Sequence, residues 1–175
     1  MSLDRIKSGL PDYAKDLRLN LESVLSEGGA PGLSPKQIAL VALASAIASR
    51  HAPLTEVIAQ FASQYADEKE LDGARTAAAL MGMTNIYYRF LHLVENDEYG
   101  TLRAGLRMNA MANPGIDKVD FDLASVAVSA INGCGACVDS HEKTLREHGV
   151  VAQGVQSAVR IASVVHAVAV TLEQA

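Results

Sequence analysis

Cysteine is nearly absent from this chain of 175 residues: there are two, and both fall in the single segment Cys134-Gly135-Ala136-Cys137. A framework of long-range disulfides is thereby excluded, and a local redox pair is the natural use of two thiols so placed. An excess of basic charge is lacking as well. Fifteen Lys and Arg stand against twenty Asp and Glu, a formal net charge of -5, which gives no electrostatic footprint for nucleic acid or an anionic membrane surface. Long apolar runs are missing too, because Ser, Thr, Arg, Gln or His interrupts every stretch short of the roughly 18 residues a membrane-spanning helix needs. The first ten residues carry Asp4, Arg5 and Lys7 around no apolar core. Neither a secretory leader nor an Arg-rich transit segment is expected, and a reducing cytoplasm is the expected location. What the chain does have is apolar side chain, 49% of residues against 20% charged. That excludes intrinsic disorder and suits one globular domain over residues 1–175.

The pattern is helical throughout. Gly28-Gly29-Ala30-Pro31-Gly32-Leu33 is a loop by composition. Ser34 as N-cap, Pro35 at the first helical position and Gln37 at the third predict a capped helix from there to about Arg50. Its alanines leave every face small, so it is expected to be buried and closely packed. Further helices are expected at Leu54–Tyr65, from Asp67 to Met81, at Ile86–Val94 after an interruption at Gly82-Met83-Thr84-Asn85, and at Thr101–Ala112. Phe121, Leu123, Ala124, Ala127, Val128 and Ile131 mark another, broken by Asn132-Gly133 immediately before the first cysteine. A helix from Cys134 to about His148, closed by Gly149, and one from Val155 to Leu172 complete the chain. Ser45-Ala46-Ile47 and Ser129-Ala130-Ile131 occupy like places near the ends of two apolar helices, a hint of two similar halves. Small residues on several helices allow close packing within or between chains.

Residues three apart on a helix share a face with a rise of about 4.5 Å, inside the usual Cα separation of a disulfide, so Cys134 and Cys137 can bridge without refolding. Cys134 at the helix start meets unpaired amides and the positive end of the helix dipole, which favour its thiolate. His141, one turn beyond Cys137 on the same face, can take the thiol proton of Cys137 directly or through one water. Asp139 and Glu142 are expected to point to solvent. Asp122, which opens the preceding helix, reaches this stripe only if the tertiary fold brings it there.

Competing uses of these residues can be weighed by geometry. Cys134, Cys137, His141 and His148 on one straight helix span about 21 Å and cannot converge on one zinc ion, so no metal site is expected from them. His51, His92 and His166 read singly as core or surface histidines, and His148 as a partner of a helix end. Thioredoxin also opens a helix with Cys-x-x-Cys, but after a strand, and this chain has no convincing strand. A pair of buried structural thiols remains the bland alternative.

Taken together, the residues resemble the alkyl hydroperoxidase D family, within the carboxymuconolactone decarboxylase-like superfamily. The segments that carry the resemblance are Leu10-Pro11-Asp12-Tyr13-Ala14-Lys15-Asp16, Met81-Gly82-Met83-Thr84-Asn85 with Tyr88-Arg89, Leu106-Arg107-Met108-Asn109 with Asn113-Pro114-Gly115, and Ser129-Ala130-Ile131-Asn132-Gly133-Cys134. The family motif is an acidic residue, eleven residues, Cys-x-x-Cys, three residues and His, met here by Asp122, Cys134, Cys137 and His141. The resemblance implies an all-α bundle of two related halves, assembled as a homotrimer or a higher multiple. It implies reduction of hydroperoxides by a dithiol with no bound cofactor, electrons coming from the dihydrolipoyl group of a lipoylated acyltransferase, and a peroxiredoxin as further partner. By the same resemblance Cys137 is the sulfenic-acid intermediate, Cys134 the proton donor and resolving thiol, His141 the proton relay and Asp122 its carboxylate. Family members generally place Glu at the position of Asp122, and well-known members place His at that of Ala136. The alternatives are a disulfide reductase serving a peroxiredoxin and a non-enzymatic thiol redox sensor. The decarboxylase chemistry of the wider superfamily has no need of the cysteine pair.

Overall fold

Two helices buried along most of their length form the middle of the computed structural model, which describes residues 2–174. They are α3 (Pro35–Ser49) and α8 (Lys118–Asn132), packed against each other. Every residue from Ile38 to Ala46 and from Asp120 to Ser129 is buried. A helix buried on nearly all sides is stable only inside other helices, and these two are enclosed as that requires. In chain order the surrounding elements are α1 (Leu3–Gly9), α2 (Lys15–Val24), α4 (Ala52–Ala62), α5 (Glu68–Leu93), α6 (Glu98–Thr101), α7 (Asn109–Ala112), α9 (Gly135–Glu147) and α10 (Ala152–Leu172). The fold is all-α, with no strand among the described residues. α4 and α5 flank α3, α10 lies across α2, α3 and α8, and α9 rests on α8 and α5. By length and composition α10 could cross a bilayer, yet here ten of its residues are buried against other helices.

The predicted caps are present. Ser34 Oγ accepts from Gln37 N while Gln37 Oε1 accepts from Ser34 N, with Pro35 opening the helix. Asp67 and Glu70 make the same reciprocal pair at the head of α5. Glu70 also meets Lys36 Nζ at 2.9 Å, and Lys36 reaches the buried Asp120 at 2.8 Å, so one cation ties the starts of α3, α5 and α8 together. Lys36 hydrogen bonding holds the Glu70 carboxyl below the usual range, and the two carboxylates raise the Lys36 ammonium.

Four features of the structure differ from the sequence expectations or add to them. First, α5 runs unbroken through Gly82-Met83-Thr84-Asn85 for 26 residues. A glycine in a helix interior costs only about 1 kcal/mol relative to alanine. Burial of Met81, Thr84 and Asn85 and the 3.0 Å bond from Asn85 Nδ2 to Ser129 Oγ on α8 outweigh that cost. Second, the single helix expected over Thr101–Ala112 is two short turns, α6 and α7, joined by irregular chain. Gly105 adopts a φ of 66° in between, and Leu102 is exposed, so no continuous apolar face exists to hold a longer helix. Third, two helices, α1 and α2, precede the glycine-rich loop and dock through Ile6, Leu21 and Val24. Fourth, the two Ser-Ala-Ile tripeptides are not in like positions: counted from the N-caps Ser34 and Asp117, Ser129 falls opposite Ala46, one residue out of step.

Candidate active site

α8 ends at Asn132 because Gly133 takes the left-handed conformation, φ 69° and ψ 34°, which glycine adopts without a steric penalty. The chain reverses there, and Cys134, extended at φ -94° and ψ 92°, becomes the N-cap of α9. Its Sγ accepts from the Cys137 amide at 3.3 Å. The cysteine therefore stands one residue ahead of the helix, where its sulfur shares the Cys137 amide with its own backbone carbonyl, which accepts at 3.1 Å. Cys134 and Cys137 are joined as a disulfide with their Cα atoms 5.3 Å apart. Cys134 is fully buried, whereas Cys137 is 7% exposed.

The reversal lays α9 antiparallel along α8 and brings Asp122, near the start of α8, beside His141, in the second turn beyond the cysteine. Asp122 Oδ1 lies 3.0 Å from His141 Nδ1, and both side chains are buried. The one-methylene-shorter Asp thus reaches the imidazole directly. Lys118, one turn back on α8, places Nζ 2.8 Å from Asp122 Oδ2. Burial alone would raise the Asp122 carboxyl, but hydrogen bonds from His141 and Lys118 prevail and hold it below the usual carboxylate range. An ionised Asp122 only accepts, so Nδ1 carries a proton and donates it. The other ring nitrogen, Nε2, faces Met81 Sδ at 3.3 Å.

A cavity of about 340 Å³ opens over this arrangement. α9 contributes Ala136, Cys137, Ser140 and His141; α5 contributes Met81, Thr84 and Tyr88; Met108 and Met111 close the side formed by α7 and the chain before it. Its walls are mainly apolar, with sulfur and imidazole as the chemical groups. Ala136 presents only a methyl to it. Such a cavity admits a molecule with an apolar body, and Cys137 is the member of the pair that it can touch.

Of the sequence-predicted residues, Cys134, Cys137, His141 and Asp122 all come together. Asp139 is exposed, and Glu142 pairs with Arg146 at 3.8 Å, so neither enters the site. His51 caps α4 by accepting from Leu54 N, His92 is exposed, His148 Nδ1 bonds the Thr144 carbonyl near the end of α9, and His166 approaches Ser49. Sequence reasoning missed Lys118 and Met81. An i, i+4 Lys–Asp spacing could have pointed to the first. Met81 sits in a segment quoted for the family resemblance, but its approach to His141 crosses 60 residues of sequence. Among the described residues, no group of three or more His, Cys, Asp or Glu side chains is placed to hold a metal ion.

The carboxymuconolactone decarboxylase family model matches residues 97–175, the part containing α8, α9 and α10. Over its full length the chain is similar to proteins named alkyl hydroperoxide reductase AhpD. That of Frankia alni is 54% identical over 173 residues, 99% of this chain and 92% of that protein. That of a Bradyrhizobium species is 50% identical over all of this chain and 95% of its own length, and that of Brucella suis 49% over all of this chain and 98% of its own.

Proposed function

The chain belongs to the AhpD family, within the carboxymuconolactone decarboxylase-like superfamily, and from that premise we propose that it is an antioxidant alkyl hydroperoxide reductase working through the Cys134–Cys137 dithiol. The observation that carries this reading is a redox pair whose more accessible sulfur lines the same apolar cavity as an imidazole oriented by an ionised carboxylate.

In the reduced protein His141, held by Asp122, takes the proton of Cys137 at Nε2. The thiolate attacks the terminal oxygen of a hydroperoxide; the O–O bond breaks, Cys137 becomes a sulfenic acid, and the alkoxide leaves as alcohol with a proton from the Cys134 thiol or the imidazolium. Cys134 then condenses with the sulfenic acid, forming the disulfide and releasing water. A dihydrolipoyl group on a lipoylated acyltransferase restores the dithiol: one thiolate opens the bridge as a mixed disulfide, and its second thiol closes to the cyclic lipoyl disulfide. A partner peroxiredoxin is reduced by the same exchange run outward. No resident cofactor takes part in these steps, and the cytoplasm, where thiols are kept reduced, is the proposed location.

A homotrimer or higher multiple is part of the same proposal. Ile86, Phe90 and Leu93 stand about one turn apart along α5, with Ile86 63% and Leu93 69% exposed, and Tyr99 extends this apolar surface with its ring centroid 5.2 Å from that of Phe90. Contiguous apolar surface of this kind marks an association face.

Peroxide consumption driven by dihydrolipoamide tests the function. Wild type is expected to turn over continuously, Cys137→Ser to consume no peroxide, and Cys134→Ser to leave a sulfenic acid at Cys137 that dimedone traps. One equivalent of peroxide consumed by wild type and no more would replace the reductase with an oxidant sensor.

A further inference from the structure

A thioether is a rare partner for a buried imidazole in a proton relay. Met81, 1% exposed, places Sδ 3.3 Å from His141 Nε2, 3.4 Å from Ser129 Oγ and 3.6 Å from Asn85 Nδ2. Thr84 Oγ1 is also near, at 3.7 Å, but directs its proton to the Leu80 carbonyl at 2.9 Å. Asn85 donates to Ser129 Oγ at 3.0 Å and accepts from Asn132 Nδ2 at 3.0 Å. A polar chain running from the end of α8 therefore fixes the sulfur in place.

What the sulfur does there follows from its chemistry. Asp122 accepts a hydrogen bond from Nδ1–H and so keeps the proton of the neutral ring on that nitrogen, which leaves a lone pair at Nε2. A hydroxyl or amide at the position of Sδ would donate to that lone pair and occupy it. A thioether has no proton to give and is a weak acceptor. We infer that Met81 is a positioning residue: it leaves Nε2 of His141 free while Cys137 is a thiol, and accepts from Nε2–H once that proton has moved to the ring. The inference rests on the reading of Cys137 as nucleophile.

Other ionisable groups near the ring do not supply this role. On α8, Asp122 holds Nδ1 and Lys118 pairs with Asp122. On α5, Tyr88 lies across the cavity with its hydroxyl directed to Met108 Sδ, and Arg89 donates to the Asn132 carbonyl. On α10, Arg160 bonds the Gly29 carbonyl and His166 approaches Ser49. Cys134 and Cys137 complete the set, and their sulfurs are joined to each other.

Leucine matches methionine in bulk and apolarity but accepts no hydrogen bond, so Met81→Leu separates packing from proton placement. The reduced wild type and Met81→Leu would be alkylated with iodoacetamide across a pH series, with Cys137 followed by peptide mass. The variant's profile is expected to move toward alkaline pH by about half to one unit, a ~3- to 10-fold slower reaction near neutrality, as loss of one weak hydrogen bond to a charged ring implies. Superimposed profiles would overturn the inference. Nitrogen-15 spectra of wild-type His141 give a second readout that requires no variant to fold: Nδ1 protonated and Nε2 bare in the neutral ring is expected, and the opposite tautomer would overturn it. Neither measurement uses peroxide, so a wild type without peroxide turnover would remove the proposed function while leaving these results to be read on their own.

Discussion

The α3–α4 hairpin and the α8–α9 hairpin each run a 15-residue helix into a single left-handed residue and then into an extended N-cap. Arg50 and Gly133 have φ 63° and 69°; His51 and Cys134 follow at φ -96° and -94°. In each hairpin the cap side chain accepts from the amide three residues on, Leu54 N in one and Cys137 N in the other. Counted from the N-caps of α3 and α8, Ala39, Leu54 and Ile58 stand where Asp122, Cys137 and His141 stand. All three of the former are fully buried hydrocarbon in the core. The same backbone thus carries packing side chains in one half and, in the other, a cysteine pair beside the hydrogen-bonded Asp122–His141 pair. The difference lies in which side chains occupy three positions and in whether α5 and the α6–α7 segment leave a cavity above them.

The comparison can be broken or sharpened by substitution, and the largest effect is expected at Asp122. Asp122→Asn keeps the shape of the α8–α9 contact but removes the charge that orients His141. Dihydrolipoamide-driven peroxide turnover is expected to fall by about a hundredfold, the scale of a general acid–base contribution, with far-ultraviolet circular dichroism unchanged. Turnover at the wild-type rate would reduce the carboxylate to a packing group.

Next come the two left-handed residues. Gly133→Ala is expected to lose about 1 kcal/mol in urea unfolding, since a Cβ is strained at positive φ. Arg50→Gly, at the matching position, should change stability by less than about 0.5 kcal/mol, because relief of that strain and the greater freedom of the unfolded chain offset each other. The cap of the inert hairpin gives an effect between these two: His51→Ala should cost about 0.5–1 kcal/mol and leave peroxide turnover unaltered.

The smallest effect is a difference in acid sensitivity. Asp122 and Glu70 have folded-state values below those of the unfolded chain, so the unfolded state binds more protons in that range. Stability from these groups is present above about pH 4 and lost as pH falls through their depressed folded values. The acid limb of unfolding monitored against pH should be shallower in Asp122→Asn than in wild type, and parallel limbs would assign the acid response elsewhere.

Much of this molecule was legible because its informative features are local. The capping box at Ser34, the cysteine pair at a helix head, the closing Gly149 and the alanine-rich burial of α3 all follow from side chains within a few residues of one another. The expectations that failed did so where packing overruled local preference. Gly82 reads as a break until Met81 and Asn85 are seen anchored on α8, and Thr101–Ala112 reads as a helix until its lack of a buried face is seen. Lys118 carried a spacing signal that could have been used, whereas Met81 carried none that names a role.

The sequence by itself determined that two cysteines three residues apart meet at the head of one helix with an imidazole a turn beyond the second, because helix geometry is the same in any fold and depends only on spacing. Tertiary structure decided that Asp122 holds that imidazole, that Met81 stands at its other nitrogen, and that Cys137 rather than Cys134 lines the cavity. Those contacts join residues far apart in the chain, on helices whose relative placement is set by how the buried faces of α3, α5 and α8 fit together.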